Sequence, residues 1–367
     1  MAASIPTIER VTARAFCVPT DAAEADGTLA WDRTTIVVTE VSAGGAVGLG
    51  YTYAAAEAAH LINQTFAEVL SGADAFAIPK AWDRIYEAAR NLGSRGVCAN
   101  AISAVDVALW DLKARILDRP LVHILGASRD TVPIYGSGGF TSYPRDRLTE
   151  QLSSWVEQDG CRWVKMKVGS EPEEDVARVK AVRSAIGSAG LFVDANGAFA
   201  RKEAIAFAER FAEFGVSWFE EPVSSDDLDG LRLARDRAPA QMEIAAGEYG
   251  YEPRYFRRMI DAGAVDVIQA DATRCCGITG FMRAAAVADA ASIPLSAHTA
   301  PALHLHVCCA APRLRHIEWF HDHVRIERML FDGAPVPDDG KIQPDLSRPG
   351  HGLELRRADA ERFAISQ

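Results

Sequence analysis

LFVDANG (191–197), WFEEPV (218–223) and IAAGEYG (244–250) are three short apolar runs, each ending in a carboxylate: Asp194, Glu220 and Glu248. The acids stand 26 and 28 residues apart, room for one strand, one helix and two loops. Repeated, that unit is an α/β barrel whose strands all deliver their C-terminal ends to one mouth. Three acids gathered there form an all-oxygen ligand set, which suits a hard divalent cation such as Mg²⁺.

Further strand-like runs extend the pattern outward. With the three quoted, they fall at 132–137, 163–168, 191–196, 218–222, 244–248, 265–271, 293–299 and 316–320, separated mostly by Ala/Arg/Glu-rich segments of helical spacing. Nearly every run carries a functional group near its end: Lys165 and Lys167, Asp194 and Asn196, Glu220, Glu248, Asp271, His298 and Glu318. Lys165 and Lys167 alternate with Val164, Met166 and Val168, so both lysines share one strand face. Burial and mutual repulsion favour the neutral amine, so one lysine is expected to act as a base near neutral pH. Asp271 and His298 end adjacent strands. A carboxylate on one ring nitrogen fixes the tautomer and raises the basicity of the other, which makes an acid/base dyad; a core histidine satisfied by the backbone is the structural alternative. A lysine from the second strand and a histidine from the seventh would approach an α-carbon from opposite faces.

Before the barrel, 7–17, 33–43 and 46–53 read as strands, and 54–71, 78–91 and 97–118 as helices. Strands followed by helices form an α+β domain. The boundaries are set at 1–128 for this cap, 129–329 for the barrel, and 330–367 for a Pro/Gly/Asp-rich tail that joins the cap as extended chain or short strands. The polar stretch 21–33, with Trp31, reads as a loop covering the mouth. His304 and His306 in LHLHV alternate onto one face and read as structural. His321 and His323 either meet a polyol or sit in a solvated turn.

The net charge of −11 argues against a nucleic-acid or anionic-membrane partner. No apolar run approaches the roughly 18 residues of a membrane span. The start, MAASIPTIER, lacks the pattern of a secretory signal. The seven cysteines form no C-x-x-C pair. A reducing cytoplasm is therefore expected.

KMK (165–167), DANGAF (194–199), EEP (220–222), AGE (246–248), VIQAD (267–271) and the histidine of SAH (296–298) resemble, as an ordered set, the mandelate racemase subgroup of the enolase superfamily. The likeness covers essentially the whole chain, including a cap helix with ALWD (108–111). It implies an α/β fold: a (β/α)7β modified TIM barrel with an N-terminal α+β capping domain. It implies that Asp194, Glu220 and Glu248 ligate Mg²⁺, Glu220 rather than Glu221 being the ligand. Lys167 would be the base on one face, with Lys165 tuning it or meeting the substrate carboxylate. His298, oriented by Asp271, would serve the other. Glu318 would hydrogen-bond the substrate carboxylate or the enediolate oxygen, Asn196 a substrate hydroxyl, and the segment with Trp31 would carry specificity. The substrate would be a small carboxylate, and the protein a homo-oligomer, an octamer or a smaller even-numbered assembly. The reading favoured is dehydration of an acid sugar to a 2-keto-3-deoxy acid. Racemisation or epimerisation of a 2-hydroxy acid and muconate-type lactonising cycloisomerisation are the alternatives. A catalytically idle binding protein would have no need of these bases and ligands.

Overall fold

The structure, a computed structural model, describes residues 5–365. The chain opens with an antiparallel sheet of β1 (Arg10–Ala25), β2 (Ala30–Ala43) and β3 (Ala46–Tyr53). Helices Ile78–Ala88 and Val97–Ile116 follow, with a helical stretch over 57–70 that widens into a π-turn at Ile62–Phe66. The long Val97–Ile116 helix is buried almost throughout, because it lies between the sheet and the barrel.

The expected covering loop is instead a hairpin. β1 continues to Ala25 and turns through 26–29 into β2. Its alanine-rich sequence masks strand propensity, but pairing with β2 supplies the order, resuming at Glu24↔Trp31 after a break that follows Pro19↔Arg33. The hairpin tip rests on the barrel. A Cβ on Gly27 would fall 2.4 Å from Ala195 O and 2.6 Å from Val168 O, so only glycine permits this approach.

Eight parallel strands close the barrel: β4 (Val132–Gly138), β5 (Trp163–Lys167), β6 (Gly190–Asp194), β7 (Val216–Glu220), β8 (Glu243–Ala246), β9 (Val267–Ala270), β10 (Leu295–Ala297) and β11 (Leu314–Phe320), with β11 pairing back to β4. Residues alternate inward and outward. Val164, Met166 and Val168 join the core shared with the helices, while Tyr135, Phe192 and Trp218 form a separate inner cluster. His316 packs edge-on or tilted against these rings. This aromatic plug closes the barrel below its charged layer.

The LHLHV segment corrects the strand-like alternation expected of it, since Pro301–Ala310 is a helix. Two residues along a helix point to nearly opposite sides. His304 Nε2 accepts from Ala272 N at 2.8 Å, beside the mouth, whereas His306 Nδ1 accepts from Val122 N at 3.1 Å in the cap. Both roles are structural. The tail returns to both layers: Phe331–Asp332 pairs with Glu354–Leu355, Lys341–Ile342 pairs with β4, and Cys17 N donates to Phe363 O at 2.8 Å. Among the described residues no helix is long and apolar enough to cross a membrane.

Candidate active site

Strand register sets the level of the charged layer. Lys167 is in register with Asp194, and Asp194 with Glu220. β8 reaches the same height and hands on to Gly247, whose φ of 134° and close approach to Gln269 O admit only glycine. That turn presents Glu248. One ligand atom from each of Asp194, Glu220 and Glu248 lies within 4.8 Å of the other two, and all three residues are buried.

Asp194, Glu220, Glu248, Asp271 and Glu318 each have a cationic neighbour. The buried Glu221 beside them has no ion pair among the described residues, and burial and then Glu248 push its carboxyl well above the usual range. Lys167 Nζ donates to Asp194 Oδ2 at 2.5 Å and to Asn196 Oδ1 at 3.0 Å. Lys165 Nζ, one layer deeper, lies 2.6 Å from Glu220 Oε1 and 2.8 Å from Glu318 Oε1. Trp218 Nε1 and Gln269 Nε2 donate to Glu220 Oε2 at 3.0 and 2.9 Å. Arg274 lies 3.1 Å from Glu248 Oε1. His298 Nδ1 lies 2.8 Å from Asp271 Oδ2, and Thr273 N fixes Asp271 Oδ1 at 2.7 Å. His298 Nε2 stands 3.2 Å from Glu248 Oε2, an oxygen that lacks an aligned hydrogen-bond donor.

The electrostatics differ from the neutral-lysine expectation. Burial disfavours the charge on both amines, but Glu220 and Glu318 around Lys165, and Asp194 beside Lys167, outweigh it and hold both pKa values above the usual lysine range. A base role for Lys167 therefore requires those carboxylates to be engaged by another cation. Burial also opposes charge on His298, but Glu248, Glu318 and Asp271 raise it to about 10. For Glu318, burial is overcome by Lys165, His298 and Lys167, which hold it at about 2. As a carboxylate it accepts from Ser137 Oγ at 2.6 Å and Thr299 N at 3.1 Å. Hydrogen-bonding a substrate carboxylate would first require Glu318 to gain a proton.

The residues fit a divalent ion. Three buried carboxylates converge, their oxygens are hard donors, and Glu248 Oε2 has no hydrogen bond. A cavity of about 400 Å³ opens above them, lined by Trp31, Thr34, Tyr53, Tyr249 and His323 among others. A larger cleft of about 760 Å³ lies elsewhere, beside His306 and the tail, away from the strand ends.

All ten sequence-predicted site residues thus gather at one mouth or line it. Trp31 lines the cavity, packs edge-on against Phe140 at 5.6 Å, and donates from Nε1 to Glu24 Oε2 at 2.9 Å. His323 reaches the cavity, stacked on Tyr53, with Nδ1 3.4 Å from Ala300 N. His321 does not, and pairs with Asp21 at 3.1 Å. Sequence reasoning missed Gln269, Arg274 and Tyr53. Gln269 had a signal, since it stands two residues before Asp271 and so shares its inward face. Arg274 lies in the loop after β9, where no periodicity announces it.

This is an enolase-type barrel with its cap, and the chain belongs to the mandelate racemase/muconate lactonizing enzyme family. Residues 12–126 match that family's N-terminal domain and residues 147–360 the enolase C-terminal domain-like family. The chain is 33% identical over 367 residues to 3,6-anhydro-alpha-L-galactonate cycloisomerase of Streptomyces coelicolor, covering 98% of this chain and 99% of the relative. It superposes on a mandelate racemase/muconate lactonizing enzyme-like protein from Rubrobacter xylanophilus with a TM-score of 0.96 at 51% identity, over 98% of this chain and 100% of the other. L-talarate/galactarate dehydratase from Salmonella typhimurium, solved with Mg and L-lyxarohydroxamate, superposes with a TM-score of 0.90 at 29% identity, over 100% of this chain and 95% of that one.

Proposed function

We propose that this chain is a Mg²⁺-dependent enzyme that removes the proton α to the carboxylate of a sugar acid and eliminates the β-hydroxyl as water, giving a 2-keto-3-deoxy acid. One observation carries the reading: two acid/base groups flank a single carboxylate triad, with Lys167 bonded to Asp194 at one end and His298 against Glu248 at the other.

Asp194, Glu220 and Glu248 would hold Mg²⁺, which when bound supplies fixed positive charge beside the substrate carboxylate as the α-proton leaves. Lys167 Nζ takes that proton, and the C–H electron pair moves into the enediolate. Lys165, anchored by Glu220 and Glu318, faces the substrate carboxylate with a fixed charge. His298, held as imidazolium by Glu248, Glu318 and Asp271, gives its Nε2 proton to the β-hydroxyl as the C–O bond breaks. Water leaves and the enol tautomerises to the ketone. Asn196 and His323 would bond substrate hydroxyls, and Trp31 would shape the pocket wall.

The Salmonella typhimurium dehydratase supports this reading. A second reading has support in the Streptomyces coelicolor relative, a cycloisomerase whose whole length the chain matches. The two share proton abstraction and differ in the oxygen that leaves. A free hydroxyl departs as water, whereas a ring oxygen stays attached and mass is conserved. Sugar acids incubated with enzyme and Mg²⁺ in D₂O would separate them by proton NMR and mass. A 3-deoxy signal with loss of water supports dehydration. The same signal without loss of water supports ring opening, and α-proton exchange alone supports racemisation. No exchange with any sugar acid would sink the proposal.

The same reading places the catalytic unit at 129–329 and the cap at 1–128 with the tail 330–367. It includes a homo-oligomer of even number and a reducing cytoplasm, which suits seven free cysteines.

A further inference from the structure

Outside the mouth, a second group of ligand-type side chains converges where the cap hairpin meets the barrel. A carboxylate oxygen of Asp21, one of Glu24 and a ring nitrogen of His321 lie within 4.8 Å of one another. Asp21 and Glu24 sit three apart on β1, a spacing that sends side chains to opposite faces of a regular strand. Here the pairing with β2 is irregular between Pro19 and Glu24, and the bulge lets both reach the same point. His321 opens the helix that follows β11.

Glu24 is the unusual member. It is 0% exposed. Its Oε2 takes one hydrogen bond, from Trp31 Nε1, while its buried Oε1 takes none. Nearby acids have cations: Arg147 lies 3.2 Å from Asp21 Oδ1, and Arg325 lies 2.7 Å from Asp322 Oδ1. Among the described residues Glu24 has no ion pair. Burial first, then the charge of Asp322, pushes it up to about 8. A buried acid with an empty oxygen is costly unless a proton or a cation compensates it.

We propose that Asp21, Glu24 and His321 form a second divalent-cation site, for an ion that accepts imidazole, such as Zn²⁺, and that this ion pins the cap hairpin to the barrel rim. The donor set separates the two centres. The mouth offers oxygen alone, which suits Mg²⁺, whereas one imidazole and two carboxylates suit Zn²⁺. Metal–ligand bonds of about 2.0–2.2 Å put neighbouring ligand atoms of a tetrahedron roughly 3.3–3.6 Å apart. Asp21 Oδ2 and His321 Nε2 already stand 3.1 Å apart. Asp21 is on the solvent side, so water completes the shell. The pinned hairpin carries Leu29 and Trp31 into the mouth, so the ion would order a wall of the substrate pocket. The site does not depend on which reaction the mouth performs.

The test is calorimetric titration of the full chain with ZnCl₂ in a Glu248→Gln background, where the mouth has lost a charged ligand. Excess Mg²⁺ is present throughout. The expected result is one Zn²⁺ per chain, with affinity at least about 10-fold weaker when Glu24→Gln or His321→Ala is added. Glu24→Gln keeps the acceptor for Trp31, so it guards against a folding artefact. Hydrogen exchange over 20–31 should slow with Zn²⁺ only where all three ligands are intact. Zn²⁺ binding unchanged by both substitutions, or no Zn²⁺ bound in the Glu248→Gln background, overturns the proposal.

Discussion

The barrel mouth and the seam between cap and barrel both bury carboxylates, by opposite means. At the mouth Lys165, Lys167, Arg274 and His298 stand against Asp194, Glu220, Glu248, Asp271 and Glu318. For Asp106 and Glu327 at the seam, the hydrogen-bond partners are uncharged. Asp106 accepts from Thr279 N and Oγ1 at 2.8 and 2.7 Å, and Glu327 accepts from Tyr51 Oη at 2.5 Å and Ala302 N at 3.1 Å. The acids respond accordingly. Burial works to raise all of them, but the mouth cations hold Glu248, Asp271 and Glu318 below the carboxylate range. With neutral donors, burial wins, and Asp106 and Glu327 rise to about 7 and about 8. Glu220 shows how close the balance is, since burial and then Asp194 lift it to about 8 against Lys165. Folding alone gains little from concentrating charge, because desolvation offsets much of the attraction. A mouth built this way has value as preorganised charge for a reaction, whereas Asp106 and Glu327 serve the seam as hydrogen-bonded contacts.

The largest break in that contrast is expected at Glu248. Glu248→Gln keeps the shape, removes one charged ligand from the triad, and leaves Arg274 and His298 without their shared partner. Loss of several kcal/mol of charge stabilisation corresponds to a fall of roughly 100- to 1000-fold in Mg²⁺-dependent α-proton exchange. Chelating Mg²⁺ from the unaltered protein should do the same. Exchange that survives either treatment would mean the triad is structural.

A smaller and more selective break is expected at His298. His298→Asn removes the acid on one face and leaves Lys167 on the other. Dehydration should fall by about 10²- to 10⁴-fold, while α-proton exchange, read by NMR in D₂O, remains. Dehydration at the original rate in this variant would reassign the acid.

The mouth was legible from sequence because period-2 alternation fixes which residues of a strand point inward, and chain order fixes which strands are neighbours. Lys165 and Lys167 share a face for that reason, and Asp271 meets His298 because their strands adjoin. The seam was not legible. Asp106 lies within an apolar helix and Glu327 within an amphipathic one, and neither position says what packs against it. The hairpin was misread because Ala22, Ala23 and Ala25 favour no strand by themselves, and tertiary pairing with β2 decides. His304 and His306 were placed on one face because an alternating apolar pattern of five residues fits a strand, although Pro301 begins a helix. The charge states of the lysines lay beyond sequence, since they depend on which carboxylates approach within bonding distance.

The finest test lies at the seam, with Glu327. An unfolded glutamate titrates near 4.5, while burial, opposed by Tyr51 and Ala302 N, lifts the folded group to about 8. Between those values the folded state keeps a proton that the unfolded chain has released. Stability from this group is therefore full below about 4.5 and is lost as pH rises through about 8. Tyr51 and Tyr53 face it but are themselves held well above pH 10 by burial and then by Glu327. Arg328 is the one cation that weighs on it. Glu327→Gln cannot titrate, and its amide loses one acceptor. The variant should melt a little lower at pH 5, by about 1 kcal/mol or roughly 2–4 °C. Its melting temperature should then decline less steeply, so that the two curves cross between pH 5 and 8 and the variant is the more stable protein at pH 8. Asp106 carries a slope of the same sign but is present in both and cancels in the difference. Melting curves that stay parallel from pH 5 to 9 would mean Glu327 is ionised in the fold, and the seam would then bury charge as the mouth does.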